Sequence, residues 1–150
     1  MKEIFREIGM IARCCNTMSD IEFKQLDLAK GQYIYLVRIY ENPGIIQEKI
    51  ANMINVDRTT VAKAIKKLVD NGMVEKRKEV GNRKEFRLYC TEKGRELYPT
   101  LKREEEHTVE VATMGLSSEE KELALDLLHR MRKNIEKEWE ILKKENTRRY

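Results

Sequence analysis

Helix breakers are scarce in this chain of 150 residues. It holds two prolines, Pro43 and Pro99, and seven glycines, so long helices are expected. Cysteine is scarce too. Cys14, Cys15 and Cys90 are odd in number, and the adjacent pair points in different directions on a helix, which excludes a disulfide framework and fits a reducing compartment. No Cys-x-x-Cys or Cys/His cluster is present. His107 and His129 are far apart, so neither a metal site nor a cofactor is expected. No uncharged apolar run approaches the ~18–20 residues of a membrane helix. The start, Met1-Lys2-Glu3-Ile4-Phe5-Arg6-Glu7, lacks the apolar core of a signal peptide. The expectation is a soluble cytoplasmic protein with no membrane partner. A Gly-rich phosphate loop and a nucleophile–base constellation are also missing, so no enzyme is expected.

Charge, by contrast, is plentiful. Charged residues make up 37% of the chain, and the mean hydropathy is -0.67. A hydrophobic fraction of 41% in ordered spacing argues against disorder. The formal net charge of +4 is too small by itself to name a nucleic-acid partner. What matters is where the positive charge sits.

The apolar spacing predicts a mainly α fold with a small β-hairpin. Ile4, Ile8, Ile11, Cys15 and Met18 form one stripe of a first helix over about 2–18. Tyr33, Leu36, Val37 and Tyr40 share a face of a second helix over about 25–41, ended by Asn42-Pro43-Gly44. A short helix over about 46–53, the turn Asn55-Val56-Asp57 and a helix over about 58–71 form a helix-turn-helix unit. Asp57 is the N-cap of its second helix, and Asn71-Gly72 stops it. Strands over 73–77 and 85–90, joined by a polar loop at 80–84, then make a hairpin, or wing. Thr91 caps a helix running to about 113, which Gly115 breaks. Ser117 and Glu120 form a capping box for a last helix of about 118–145. Its stripe of Leu123, Leu127, Met131, Ile135 and Trp139 is too long for so small a central block to cover. The N-terminal helix and a second copy of the chain are the candidates to cover it, which makes Ile4 and Ile8 dimerisation residues as well.

Divided along the chain, the charge becomes informative. Arg58 to Arg87 hold ten basic and four acidic residues, a net +6, while the remaining 120 residues sum to -2. The surplus lies in the second helix of the helix-turn-helix and in the wing. Arg58, Thr59, Thr60, Lys63, Lys66 and Lys67 are left for solvent once the apolar face is buried, and a helix of this kind suits the major groove of double-stranded DNA. At the wing, Arg83, with Lys84 beside it, suits a narrow minor groove. A charge run alone describes a solvated face; two in succession around this motif describe a DNA-binding surface. An RNA-binding or architectural protein would show aromatic platforms on an open sheet, and the two strands offer only Phe86 and Tyr89.

The residues that carry this pattern also resemble a known family. Gln47-Glu48-Lys49-Ile50-Ala51, Val56-Asp57-Arg58-Thr59-Thr60-Val61, the run from Leu68 to Arg77 and Thr91-Glu92-Lys93-Gly94-Arg95-Glu96-Leu97 are similar to the MarR family of winged helix-turn-helix regulators, the last to its "L-T-x-K-G" signature. Two positions depart from it. Gly81 and Asn82 precede Arg83 where the family usually has Asp-x-Arg, and Cys90 stands where it often has Leu. The resemblance implies a single domain over 1–150, with dimerisation helices over about 1–41 and 100–150 around a winged block over about 45–98. It also implies a homodimer on a pseudopalindromic operator, usually a repressor, released by a small phenolic ligand or by cysteine oxidation. A ligand pocket would lie between the dimer helices and the DNA-binding block, with Ile11, Cys15, Tyr33 and Tyr40 as candidates. In the oxidation alternative, Cys14 or Cys15 would sense the oxidant, with Tyr33, Tyr35 and Tyr40 on the second helix. Cys15 on an apolar stripe is equally a small core residue, and reactivity needs a cation or helix N-terminus nearby.

Overall fold

The computed structural model describes residues 1–145, with the backbone alone at 82–84. Two compact units are distinguished, Met1–Thr108 and Val109–Tyr150.

In the first unit, α1 spans Glu3–Phe23 and continues into a 3-10 turn at Lys24–Leu26. It runs past the expected end at 18 because Ser19 and Phe23 are buried and hold its last turns. The second helix, α2, spans Tyr33–Glu41 and is shorter than the expected 25–41. Side chains divert the preceding residues from helix: Asp27 adopts φ 60°, Ala29 N donates to Gln32 Oε1 (3.0 Å), and Gly31 N donates to Asp20 Oδ1 (2.8 Å). Such local bonds offer the backbone an alternative to the helical ladder.

The helix-turn-helix consists of α3, Gln47–Ile54, and α4, Arg58–Asp70, each within a residue of its expected limits. The hairpin pairs β1, Val74–Glu79, with β2, Asn82–Cys90, in antiparallel register from Val74↔Cys90 to Lys78↔Phe86, then shifts to Glu79↔Asn82. The expected loop at 80–84 is therefore reduced to Val80-Gly81, with Gly81 at φ 94°, a conformation glycine adopts without strain. Backbone pairing carries the strands into a polar stretch with no apolar alternation to announce it. Ile45 adds a single bridge to Leu88, with Gly44 N donating to Leu88 O (2.9 Å) and Leu88 N to Ile45 O (3.0 Å).

One core joins these elements. Leu36 and Ile39 of α2, Ile50 of α3, Val61, Ile65 and Leu68 of α4, and Met73 and Leu88 of the hairpin are all fully buried. Leu101 of α5, Glu92–Ala112, completes it. Thr91 fixes the start of α5: its Oγ1 accepts from Gly94 N (3.2 Å) and donates to Gly72 O (2.6 Å).

The second unit carries α6, Ser118–Glu145. The expected capping box is formed: Ser117 N donates to Glu120 Oε2 (2.8 Å), and Glu120 N donates to Ser117 Oγ (3.2 Å). No residue of α6 is buried within one chain. Leu123, Leu127 and Ile135 are each more than 40% exposed, although they form its apolar stripe.

Candidate nucleic-acid interface

The helix α4 is held by its apolar side and by its N-cap. Val61, Ile65 and Leu68 are each 0% exposed, which fixes its rotation. At its start, Thr60 N donates to Asp57 Oδ1 (2.8 Å) and Thr60 Oγ1 to Asp57 Oδ2 (2.6 Å). These bonds stabilise the ionised form and hold the Asp57 carboxyl below the usual carboxylate range.

Arg58, Thr59, Thr60, Lys63, Lys66 and Lys67 all lie exposed. They are not equally available. Arg58 is ion-paired with Glu48 of α3, and Lys66 pairs with Asp70 one turn on (2.7 Å). Thr60 has its hydroxyl hydrogen committed to Asp57, so it retains lone pairs and a methyl for a partner. Lys63 and Lys67 have no ion-pair partner among the described residues, and with Thr59 they are the least engaged groups of the helix. The side chains of Arg83 and Lys84 lie outside the described residues.

The base of the wing is braced. Arg87 NH1 donates to Gly44 O (3.2 Å), and Arg87 NH2 is ion-paired with Glu79 Oε2 (3.3 Å). Arg77 is paired with Glu75, and its guanidinium lies 4.4 Å from the Tyr89 ring centroid. Across the other face, a cleft of about 330 Å³ separates the wing from α3 and the start of α4, lined by Ile46, Gln47, Glu48, Arg58, Lys76, Glu85 and Phe86. Sequence reasoning did not single out Glu48, Lys76 or Phe86 as parts of this site. Glu48 and Arg58 are ten residues apart, and only the turn between α3 and α4 brings them together.

The four pocket candidates are dispersed. Tyr40 stacks on Tyr98 at 3.7 Å and lines a cleft of about 430 Å³ with Ile39, Pro43, Arg77, Tyr89, Cys90 and Arg95. Ile11, Cys15 and Tyr33 are not among the residues that line it. Tyr33 packs on Phe23 at 5.3 Å, with burial pushing its phenol pKa up. Ile11 is 58% exposed. Among the cysteines, Cys14 is exposed, Cys15 half-buried and Cys90 buried. Burial pushes the Cys90 thiol up to about 11.

Ile4 is exposed and Ile8 half-buried on α1, and Met131 and Trp139 are half-buried on α6. Trp139 Nε1 is buried without a hydrogen-bond partner among the described residues. No group of three metal-ligating side chains occurs among them, and no described helix is long and apolar enough to cross a membrane.

A helix-turn-helix followed directly by a hairpin, with the exposed side of its second helix basic, defines a winged helix-turn-helix protein. The MarR family model matches residues 28–86. Over all 150 residues the chain is 61% identical to the uncharacterized HTH-type transcriptional regulator YybA of Bacillus subtilis (strain 168), with both chains covered in full. A crystal structure of a Listeria monocytogenes chain described as a MarR-family transcriptional regulator, complexed with 26mer DNA, is similar at TM-score 0.96 and 48% identity over the whole of both chains. The transcriptional regulator SlyA is similar at TM-score 0.90 and 53% identity, over 93% of this chain and 98% of that one. The chain belongs to the MarR family and is a transcriptional regulator of MarR type.

Proposed function

We propose that this regulator is a homodimeric repressor. It binds a pseudopalindromic DNA duplex with α4 in the major groove and the wing tip in the minor groove. The observation that carries the reading is the two-sidedness of α4. Three apolar residues are fully buried, and six polar or basic residues from Arg58 to Lys67 remain on the outside, two of them lysines with no acidic partner among the described residues. The similarity to a Listeria chain complexed with DNA supports it. Thr59 and Lys63 read base edges, while Arg58, Lys66 and Lys67 bind phosphates. Arg83 and Lys84 serve the wing tip. A cytoplasmic location, where chromosomal DNA is accessible, belongs to the same proposal.

The dimer rests on exposed apolar surface. In one chain, Leu123, Leu127 and Ile135 of α6 and Ile4 of α1 are each at least 39% exposed. An apolar stripe of that length needs a partner surface. The organisation proposed is one functional domain over 1–150, with about 1–41 and 100–150 in dimerisation and about 45–98 in DNA binding.

Release by a small aromatic or phenolic ligand is the signal proposed. The cleft that includes Tyr40, Tyr89, Arg77 and Arg95 has the volume of a small-molecule site. A second reading, release by oxidation of Cys14 or Cys15, is favoured by one observation. Cys14 is exposed, open to an oxidant in solvent. Both cysteines lie well inside α1, away from the helix N-terminus that would activate a thiol.

Recovery of bound DNA from sheared genomic fragments tests the reading. The expected result is enrichment of fragments that share an inverted repeat with half-sites one helical turn apart. Recovery of fragments with no shared sequence would contradict it.

A further inference from the structure

The wing carries more than its tip. Lys76 and Lys78 lie on β1, two residues apart, so their side chains leave the same face of the strand at about 6.8 Å spacing. Phe86 faces them from β2 as the direct register partner of Lys78. Phe86 is 42% exposed, although its strand neighbour Leu88 is fully buried in the core. The ammonium of Lys76 lies 5.8 Å from the ring centroid and that of Lys78 5.2 Å. One ring therefore holds two cations by cation–π attraction, at an exposed site where each lysine would otherwise move freely.

The location of this group gives it meaning. Lys76 and Phe86 line the same cleft as Arg58, at the start of α4. Two carboxylates share that cleft, Glu48 and Glu85. Glu48 is occupied by Arg58. Lys76 and Lys78 have no acidic partner among the described residues, in contrast to Arg77 and Arg87 on the other face of the same hairpin, which are paired with Glu75 and Glu79. The hairpin thus neutralises Arg77 and Arg87 on one face and leaves Lys76 and Lys78 uncompensated on the face that continues α4.

We infer that Lys76 and Lys78, held apart on the Phe86 ring, form a binding site for two successive phosphates of one DNA strand, on the track between α4 and the wing tip. The inference rests on the DNA-binding reading above and adds to it a site within the wing. Lysine suits the role as a compact point charge. The two-residue repeat of an extended strand, about 6.8 Å, which sets the spacing of Lys76 and Lys78 on β1, is comparable to the step between neighbouring phosphates. The site reads no sequence and contributes affinity to any duplex.

The test measures binding by fluorescence anisotropy to two duplexes of equal length over a range of salt concentrations. One duplex carries the sequence recovered from genomic fragments and the other is scrambled. Full-length wild type is compared with Lys76→Gln/Lys78→Gln and with Phe86→Leu, which keeps both charges. In the double lysine variant, the slope of log affinity against log salt should fall by about 2 per wing, because two phosphate contacts are lost. The weakening should be the same factor on both duplexes. Phe86→Leu should weaken both by a similar, smaller factor with unchanged thermal unfolding. An unchanged slope in the double lysine variant, with wild type still binding, overturns the phosphate site and leaves the DNA-binding reading standing. Weakening confined to the recovered sequence overturns it too, since it would make the lysines base readers. Wild type binding neither duplex overturns both. The lysines are exposed, so the variants are expected to fold. If the pair does not, Lys76→Gln and Lys78→Gln taken singly should each lower the slope by about 1.

Discussion

Gly94 of α5 lies directly against the backbone of Met73, at the start of the hairpin. A Cβ at Gly94 would lie 2.2 Å from Met73 O and 3.4 Å from Leu36 Cδ1. The neighbours of Gly94 tie the same junction. Thr91 N donates to Met73 O (3.0 Å), Thr91 Oγ1 donates to Gly72 O (2.6 Å), and Lys93 Nζ donates to Asn71 O (2.9 Å). The Thr-x-Lys-Gly run is a clamp. It closes the end of α4 and the start of β1 onto α5, and so sets the angle between the recognition helix and the wing.

Gly94→Ala should therefore destabilise the protein by about 2–3 kcal/mol, at the upper part of the range for overpacking, because the obstructing atom is backbone and cannot rotate away. Urea unfolding followed by circular dichroism measures it. A variant as stable as wild type would show that the junction yields freely.

Asp57→Ala removes the cap of α4. The folded pKa of Asp57 is lowered by its bonds to Thr60, so its contribution is present above the unfolded carboxylate pKa and is lost as pH falls through the folded value. Wild type should be more stable than Asp57→Ala near neutral pH, and the difference should shrink as pH falls below the usual carboxylate range. Thermal unfolding of both proteins at a series of pH values checks this. A difference that stays constant would show that the ionised form has no special role.

Glu48→Gln releases Arg58 from its ion pair. DNA affinity should rise by about 1.4- to 5-fold, matching the ~0.2–1 kcal/mol of an exposed pair, on recovered and scrambled duplexes alike. Anisotropy titration measures it, and weaker binding would mean that Glu48 positions Arg58 for DNA.

Cys90 should resist an aromatic disulfide reagent in the native protein near neutral pH, since its thiol is buried and its pKa is pushed up to about 11. Cys14 is exposed and should react first. Counting reactive thiols before and after denaturation gives the answer. A rapid native reaction of Cys90 would show that the hairpin opens from α5.

Much of this fold was legible in the sequence because its helices carry clear apolar periods and their caps are chemically distinctive. Asp57, Thr91 and the Ser117/Glu120 pair mark three helix starts, and each makes the bond its position implies. The start of α2 was not legible. The residues before Tyr33 are diverted by Asp27 at φ 60° and by Gln32 accepting from Ala29 N, and also by Asp20, eleven residues before Gly31 in sequence, accepting from its backbone. The length of the hairpin escaped for a related reason: its outer half is polar on both faces, and pairing alone makes it strand. At the interface, the outward residues of α4 were readable from one helical wheel. The pairing of Arg58 with Glu48 and the placement of Lys76 and Lys78 on Phe86 depend on contacts between elements, which no period within one element encodes.

Sequence-specific recognition of DNA is assigned to the exposed side of α4. The affinity ratio between a duplex recovered from genomic fragments and its scrambled counterpart, measured at about physiological salt, tests it most directly. Wild type should show a ratio of at least roughly 10³, in the range of specific regulators, and Lys63→Ala a clear fall in that ratio. Equal affinity of wild type for the two duplexes would contradict it.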